Sequence, residues 1–583
     1  MANEIWIVPF FGQGHLFPLM ELCKQIASRD FKSVFVISSN FSSSVPSSLR
    51  QHPLVQIAEI PESIPSSDPS TPPQPTPPPL HRHHDQHNQM AIGLEKLLST
   101  RCQGSDSAPP VCAVLDVMMG WTAEVFKKFE IPTVAFFTSG ACSAAMEYAM
   151  WKAQPLDIKS DETRLLDGLP EEMALTLSDV KRQSRGPPPH GHGGGPPTGP
   201  GAGFPPPPGH GGGSLTGPAA GFPPQPSQGV GGFPPFGPNA GMPLPGQDAV
   251  GFPPFGPGHG MPPPDPPLNG PGPGRRGPPQ PGGKPPWTED ADRSIALMIN
   301  TCDDLERPFL KYIADQIGKP VWGVGPLLPE QYWKSAGSIL HDREFRTSTR
   351  RSNITEDEVV EWLDSKPSGS VLYVSFGSEV GPTVEEYKVL AEALESSTQP
   401  FIWVVQSGSG RPPGPPRGGS DRPQGLSRAS SEGEEGYYPH GMEARVGKRG
   451  LIIHGWAPQL LILSHPSTGG FLSHCGWNST VEAIGRGVPI LAWPIRGDQH
   501  HDAKLVANFL KVGYHIPIPP DEKILIKKED IVKGIEMLIS DEDMKRRALE
   551  LSEKFEHGFP TSSVAALDAF RDFVAQKPKA ASS

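Results

Sequence analysis

A strand, a tight turn and a helix follow one another in residues 470–484. The apolar run 470–473 enters the turn 474–477, and a helical pattern begins near Asn478. This order is typical of a parallel α/β domain. Free backbone N–H groups at a helix N-terminus, together with the positive end of the helix dipole, can hold an anion without a row of basic residues. Residues 456–499, which contain this unit, therefore predict an α/β fold with a small anion site.

The N-terminal part of the chain contains a similar unit. Residues 5–10 predict a buried strand, and Gly12-Gln13-Gly14-His15 lead into an apolar helical pattern. A dinucleotide fingerprint would need glycine where Phe17 stands, and an acid at the end of the next strand, where Asn40 stands. Both requirements fail, so we do not expect NAD to bind here.

Three polar residues follow predicted strands of this first domain. His15 comes after the first strand, Asp116 ends the strand that starts at Val111, and Thr138 follows residues 133–137. The carboxyl ends of parallel strands line the ligand crevice of an α/β sheet. We therefore expect His15, Asp116 and Thr138 to lie at one edge.

Proline and glycine divide the chain. The 74 Pro and 65 Gly are concentrated in residues 186–286 and 407–436. Such segments have too few apolar residues to offset their chain entropy, so we expect both to be disordered. Phe-Pro-Pro units in the first insert could recruit weak partners, or the insert could be a tolerated surface segment without chemistry.

Strand and helix patterns recur on both sides of these inserts. They predict an α/β chain of two tandem Rossmann-like domains that face a cleft. The predicted boundaries are 1–185 with 287–328 for an N-terminal domain, 329–369 for a linker, 370–540 for a C-terminal domain, and 541–575 for helices that pack back on the N-terminal domain.

Several classes of protein are disfavoured by composition. The net charge of −12 argues against a nucleic-acid partner. Neither a signal peptide nor an apolar stretch of about 20 residues is recognisable, and the six cysteines have no CxxC spacing. We expect free thiols, a cytoplasmic location and no membrane span. His81, His83, His84 and His87 could suggest a metal, but they follow a proline tract, and a polar loop at the cleft mouth is the favoured interpretation.

Residues 456–499 resemble the signature of the plant secondary-product glycosyltransferases, which is the UDP-sugar box of family 1 glycosyltransferases. The match includes WAPQ at the start, HPSTGGFLSHCGWNST in the middle and DQ at the end. The resemblance extends to residues 12–15, Asp116, INT at 299–301, Gly325-Pro326 and residues 376–378, and both inserts lie outside it. It implies the GT-B arrangement, in which the N-terminal domain would bind the acceptor and the C-terminal domain would bind the UDP-sugar.

The resemblance also implies a donor site. Trp456 would offer its face to uracil, with Ala457 and Gln459 at the polar edge of that ring. His474, Gly476, Asn478, Ser479 and Ser378 would receive the diphosphate. Glu482 would hold the ribose, although Ser479 and Glu482 also have the spacing of a helix capping box. The remaining donor-binding residues are Thr138, Trp477, Asp498 and Gln499, and the terminal glutamine favours glucose over galactose.

The implied reaction is an inverting transfer of glucose from UDP-glucose to a hydroxyl of a small hydrophobic plant metabolite, such as a flavonoid or another phenolic. His15 would be the general base and Asp116 would hold its ring. No metal or other cofactor is expected, because helix-end amides and His474 can stabilise the leaving diphosphate. Alternatives are attack by an aromatic carbon, which gives a C-glycoside, and a UDP-sugar-binding scaffold whose insert recruits partners.

Two positions depart from the pattern of the family. Asp502 stands where asparagine is frequent, and Met118-Met119 follow Asp116 where an aromatic residue is common. We expect neither to touch the reacting groups, but Met118-Met119 could reshape the acceptor pocket.

Overall fold

The computed structural model describes residues 3–61, 79–103, 108–154, 158–159, 162–183, 283–334, 352–406, 437–518 and 525–576. For residues 79–86 and 181–183 it describes the backbone alone. The predicted disordered inserts therefore lie outside the described residues, apart from residues 283–286 at the end of the first one.

The secondary structure of the described residues is numbered in chain order. The strands are β1 (Glu4–Val8), β2 (Lys32–Ser38), β3 (Val55–Ile60), β4 (Cys112–Asp116), β5 (Thr133–Phe137), β6 (Thr163–Arg164), β7 (Leu175–Thr176), β8 (Leu297–Ile299), β9 (Val321–Gly323), β10 (Val371–Ser375), β11 (Phe401–Val405), β12 (Gly450–His454), β13 (Thr468–Ser473), β14 (Ile490–Ala492) and β15 (Gly513–His515). The helices are α1 (Gln13–Ala27), α2 (Ser47–Arg50), α3 (Pro79–Gln103), α4 (Ala123–Lys127), α5 (Ala141–Ala153), α6 (Leu177–Gln183), α7 (Pro286–Arg293), α8 (Asp303–Ile317), α9 (Glu330–Lys334), α10 (Glu356–Asp364), α11 (Val384–Ser396), α12 (Met442–Val446), α13 (Gln459–Ser464), α14 (Trp477–Ile484), α15 (Gln499–Lys504), α16 (Lys528–Ser540), α17 (Glu542–Glu553) and α18 (Thr561–Gln576).

The first sheet has the strand order β3-β2-β1-β4-β5-β8-β9, and its paired strands are parallel. All five residues are buried in each of β1, β4 and β5. Apolar runs without polar alternation suit strands that helices cover on both faces. The strand order reverses between β1 and β4, which is where α/β sheets open a ligand crevice.

The second sheet has the order β12-β11-β10-β13-β14-β15 and is also parallel. Its strand order reverses between β10 and β13, so this sheet opens its own crevice at the carboxyl ends of those two strands. Residues 473–477 lie at the end of β13. The predicted arrangement of two parallel α/β sheets is confirmed, while the residue boundaries of the domains stay a prediction.

Helix α18 lies far from the first sheet in sequence but packs on it. Leu567, Phe570 and Val574 are buried in the hydrophobic core that contains β1 and α1. Arg29 at the end of α1 donates to the Asp568 carboxylate at 2.8 Å. The C-terminal helix is thus held against the N-terminal sheet by apolar burial and by one ion pair.

Helix α3 replaces the predicted polar loop around His81–His87, and the loop prediction is wrong. Met90, Leu94 and Leu98 recur every four residues and are almost fully buried on the first sheet. This apolar stripe has the period of a helix face and extends the helix back across the histidines. Near that end, the His87 ring stacks on Trp121 with 4.9 Å between ring centroids.

Two findings concern all of the described ranges together. Among the described residues, none of the helices combines the length and the apolar character needed to cross a membrane. All six cysteines lie within the described ranges and are free, and five of them are buried.

Candidate functional site

His15 lies in the first turn of α1, directly after the turn that follows β1. Its Nδ1 atom is 2.7 Å from Oδ2 of Asp116. Asp116 is the last residue of β4 and is fully buried, whereas the His15 side chain keeps 28% of its surface exposed. The adjacent strands β1 and β4 therefore bring the two side chains together, and the second ring nitrogen of His15, Nε2, is left for a substrate.

Thr138 completes this cluster. Its hydroxyl donates to Oδ2 of Asp116 at 2.9 Å and is 3.1 Å from Nδ1 of His15. The other carboxylate oxygen of Asp116 accepts the backbone N–H of Met118 at 2.8 Å. The sequence predicts Thr138 among the donor-binding residues; in the structure its hydroxyl contacts the His15–Asp116 pair.

The surroundings of His15 favour its protonated form. Burial acts against a charge on the ring, but the Asp116 carboxylate and its hydrogen bond, with smaller effects of Glu379 and Asp498, raise the pKa of His15 above its usual value. A raised pKa makes His15 a stronger base once it is deprotonated, and it stabilises the imidazolium that proton transfer would create.

The turn between β13 and α14 forms a second polar centre. Helix α14 begins at Trp477, and its N-cap Gly476 makes no side-chain capping bond. The first backbone N–H groups of the helix therefore point into this turn without a side-chain cap. The sequence places the helix start near Asn478, one residue from its position in the structure.

His474 lies in this turn between two glycines. A Cβ atom on Gly377 would approach the His474 ring to 2.9 Å, and one on Gly476 would approach Nε2 to 2.5 Å. Gly377 also has a φ of 73°, a backbone angle that residues other than glycine rarely adopt. Burial lowers the pKa of His474 to about 4, with a backbone hydrogen bond to Ser375 acting in the opposite direction. The ring is thus neutral and would act on a phosphate as a hydrogen-bond donor.

A hydrogen-bond network organises the carboxylate of Glu482, which is 1% exposed. The side-chain amide of Gln459 donates to Oε2 of Glu482 at 2.7 Å and to Oγ of Ser479 at 3.0 Å. The Tyr373 hydroxyl donates to the side-chain oxygen Oε1 of Gln459 at 3.1 Å. Because the N-cap of α14 is Gly476, the capping-box interpretation of Ser479 and Glu482 is wrong.

Three further residues are predicted from the sequence to bind the donor. Trp456 follows β12 and is half-buried, Ala457 is buried, and Ser378 is exposed in the turn after β10. All three positions follow carboxyl ends of strands in the second sheet. Their roles stay predictions.

The residues predicted for the sugar differ in their surroundings. Asp498 is half-buried, and burial raises the pKa of its carboxyl, while Ser139 and His15 act in the opposite direction. The Oε1 atom of Gln499 accepts the backbone N–H groups of Ile495 and Arg496 at 2.9 and 3.0 Å. The Gln499 carbonyl therefore orders its own loop, which leaves the amide nitrogen for a ligand.

The two centres meet between the sheets. Nδ2 of Asn478 donates to the backbone oxygen of Gly14 at 3.0 Å. The indole N–H of Trp477 donates to the backbone oxygen of Asn300 at 2.6 Å. The first turn of α14 thus lies directly beside the turn that carries His15.

Sequence reasoning assigned no role to Asn300, Glu306 or Asp502. Glu306 accepts the backbone N–H groups of Ala141 and Cys142 at 2.8 and 2.7 Å, and so caps α5. Asp502 is fully buried, and its Oδ2 accepts from Ser139 at 3.4 Å. The sequence gave two signals, the INT motif at 299–301 and the unusual residue type at Asp502, but neither indicates what these side chains contact.

From the sequence we expect no metal ion at the site, and this stays a prediction. Within the described ranges, His, Cys, Asp and Glu side chains form no group of three or more suited to a metal ion. Two parallel α/β sheets, with a histidine–aspartate pair on one and a helix N-terminus on the other, define a protein of the GT-B class.

Comparisons with known proteins support this class. The family model described as "UDP-glucoronosyl and UDP-glucosyl transferase" matches residues 343–565. The chain is similar to UDP-glycosyltransferase 73C3 of Arabidopsis thaliana, with 37% identity over 272 residues, 45% of this chain and 49% of that protein. The chain thus spans about half the length of the curated relatives it matches.

Solved structures are similar over nearly the whole chain. UGT73P12 of Glycyrrhiza uralensis, complexed with glycyrrhetinic acid 3-O-monoglucuronide, has a TM-score of 0.65 at 20% identity and covers 99% of this chain and 96% of its own. UGT71G1 of Medicago truncatula, complexed with UDP-glucose, has a TM-score of 0.61 at 19% identity and covers 98% of each chain. These similarities establish the fold, and residues 343–565 are similar to the UDP-glucuronosyl and UDP-glucosyl transferase family.

Proposed function

We propose that the protein is an inverting glycosyltransferase that moves glucose from UDP-glucose to a hydroxyl of a small hydrophobic plant metabolite, such as a flavonoid or another phenolic. The observation that carries the proposal is the position of the His15–Asp116 pair beside the first turn of α14, where Asn478 contacts Gly14. A base and an anion-binding helix end are thereby adjacent.

Each centre has one task in the reaction. Nδ1 of His15 is held by Asp116, so Nε2 takes the proton of the acceptor hydroxyl. The acceptor oxygen forms a bond to the anomeric carbon as the bond from that carbon to the diphosphate breaks. The N–H groups of α14 and the neutral ring of His474 receive the charge that develops on the leaving UDP.

This arrangement supports inversion at the anomeric carbon. One base on one side of the sugar and a leaving group on the other give a single displacement, so an α-linked donor yields a β-glycoside. Retention by a double displacement would need a nucleophilic carboxylate on the enzyme. Here, the carboxylate next to the base, Asp116, is fully buried behind the His15 ring.

Acceptor selection is the remaining part of the proposal. Phe10, Phe11 and Phe41 cluster beside the base: Phe10 meets the His15 ring edge-to-face at 5.1 Å, and Phe11 stacks on Phe41 at 5.1 Å. Met118, which is 55% exposed, follows Asp116. Aromatic and thioether surfaces next to a base suit a planar, apolar acceptor.

The test is an acceptor screen. The purified protein is incubated with UDP-glucose or UDP-galactose and a panel of flavonoids, simple phenols and terpenoid alcohols, and products are identified by mass spectrometry and NMR. We expect β-O-glucosides of phenolic acceptors. UDP binding without any product would support a scaffold instead, and a carbon–carbon bond to the sugar would identify a C-glycosyltransferase.

A further inference from the structure

Asn300 follows β8 and is 1% exposed. Its side-chain Nδ2 donates to the backbone oxygen of Thr138 at 3.1 Å, and its Oδ1 accepts the backbone N–H of Leu327 at 2.7 Å. Its own backbone N–H donates to the oxygen of Phe137 at 3.0 Å. The polar groups of this buried residue are therefore all engaged, and two of them hold the end of β5.

The end of β5 determines where the Thr138 hydroxyl lies. That hydroxyl contacts both Asp116, at 2.9 Å, and His15, at 3.1 Å. A shift of the Thr138 backbone would move the hydroxyl away from the pair and change the surroundings of the base. Asn300 is thus one hydrogen bond away from a residue that touches the base.

Asn300 is also joined to the donor side. Its backbone oxygen accepts the indole N–H of Trp477 at 2.6 Å. Trp477 is the first residue of α14, the helix whose N-terminus forms the anion site. Its ring packs so closely on Gly140 that a Cβ there would lie 2.7 Å from a ring carbon. The donor helix is therefore seated on the segment that follows β5.

We propose that Asn300 is a positioning residue that ties the donor helix to the base. It connects Thr138, through its side chain, with Trp477, through its backbone oxygen. This inference rests on the proposed function. Its consequence is that the distance between His15 Nε2 and the anomeric carbon of a bound donor depends on Asn300, although Asn300 touches neither.

Two substitutions break this connection at different points. Asn300→Ala removes the bonds to the Thr138 oxygen and from the Leu327 N–H but keeps the backbone oxygen that Trp477 uses. Trp477→Phe removes the indole N–H but keeps an aromatic ring on Gly140. A matched control is Trp287→Phe: Trp287 is 3% exposed, and the substitution removes an indole N–H that donates to Glu147 at 3.1 Å while it keeps an aromatic ring against Phe137.

The measurements separate positioning from general damage. We expect Asn300→Ala to lower kcat about 100-fold, the size of effect that a displacement of about 1 Å can produce. UDP affinity, measured by calorimetry, should change less than about threefold, because the substitution removes no group that would contact UDP. Trp477→Phe should lower kcat about 10-fold, and Trp287→Phe should leave kcat and UDP affinity near the wild-type values.

A second readout does not need turnover. The titration of His15 is followed by NMR in protein with labelled histidine, and its midpoint should move in Asn300→Ala but stay in place in Trp287→Phe. An unmoved midpoint, or a loss of kcat that matches an equal loss of UDP affinity, would overturn the positioning role. If the wild-type protein transfers no sugar, the proposed function fails, while the titration still decides the role of Asn300. If Asn300→Ala does not fold, Trp477→Phe gives the same decision through kcat and UDP affinity.

Discussion

The proposed base side of the cleft takes His15, Asp116 and Thr138 from the ends of three separate strands, whereas most residues of the proposed donor side lie within the continuous stretch 456–499. Each side contains a histidine in a different environment. The pKa of His15 is raised, chiefly by its carboxylate partner acting against burial, and the pKa of His474 is lowered to about 4 by burial between two glycines. One histidine, His15, is thus suited to take up a proton, and the other, His474, is suited to remain neutral.

This contrast predicts different kinetic effects for changes on the two sides. Changes on the base side should lower kcat without weakening UDP binding. Changes on the donor side should weaken UDP binding first. The following variants test that separation.

The largest effect is expected for His15→Ala. Removal of a general base usually costs about 10²–10⁴-fold in rate, so transfer should be nearly abolished while UDP affinity stays almost intact. Initial rates with a saturating acceptor, together with calorimetric titration of UDP, measure both quantities.

His440→Ala serves as the matched control, because His440 is exposed. The wild-type rate should fall on the acid side of a midpoint above 6.5, since His15 is protonated below its raised pKa. Substantial turnover by His15→Ala would remove the base assignment.

An effect of intermediate size is expected for Glu482→Gln. A hydrogen bond to a charged group is worth about 1.5–3 kcal/mol, so the loss of the charge should weaken UDP binding about 10- to 100-fold, with a smaller change in kcat. Calorimetry with UDP and donor saturation curves give the two values.

The exposed Glu536 offers a control through Glu536→Gln, which should change neither value. Unchanged UDP affinity in Glu482→Gln would show that the ribose does not reach this carboxylate. A loss of kcat alone would break the separation between the two sides.

The same contrast explains which parts could be predicted from sequence. The donor box could be recognised because its residues are consecutive, and the strand–turn–helix pattern placed the start of α14 within one residue. His15, Asp116 and Thr138 could be brought together because parallel strands end at one edge. The partners of Asn300 and the hydrogen bond from the Gln459 side-chain amide to Glu482 depend on side-chain directions between elements that are separate in the chain, which no local period specifies.

The histidine-rich segment shows the opposite failure. Its proline tract and lack of apolar residues predict a loop, but the spacing of Met90, Leu94 and Leu98 governs the whole helix. The packing of these three apolar residues on the first sheet, a tertiary contact formed further along the same helix, outweighs the local composition of the histidine segment.

The smallest effect is expected for Asp502, which accepts from Ser139 where the two sides of the cleft meet. Asp502 is fully buried, and its Oδ1 has no hydrogen-bond partner within the described part of the chain. Burial, with the nearby Asp498 and Glu306, raises the pKa of Asp502 well above its usual value. Two neighbouring carboxyls behave similarly: burial raises the pKa of Glu147 to about 8 and that of Glu306 to about 7.

The sign of the pH dependence follows from proton uptake. A carboxyl with a raised pKa in the folded state binds its proton more tightly there than in the unfolded chain. The free energy of unfolding must then fall as pH rises from about 4. Asp502→Asn removes one of these protons and the slope that belongs to it.

Denaturant unfolding at pH 5, 6, 7 and 8 tests this prediction. Asp502→Asn should gain stability relative to the wild type as pH rises, and the difference should be smallest at pH 5. Asp543→Asn, at a carboxylate that is 79% exposed, should follow the wild-type curve. Parallel curves for Asp502→Asn and the wild type would mean that Asp502 is already ionised in the folded protein. The place where the two sides meet would then contain a buried negative charge on Asp502 instead of a protonated carboxyl.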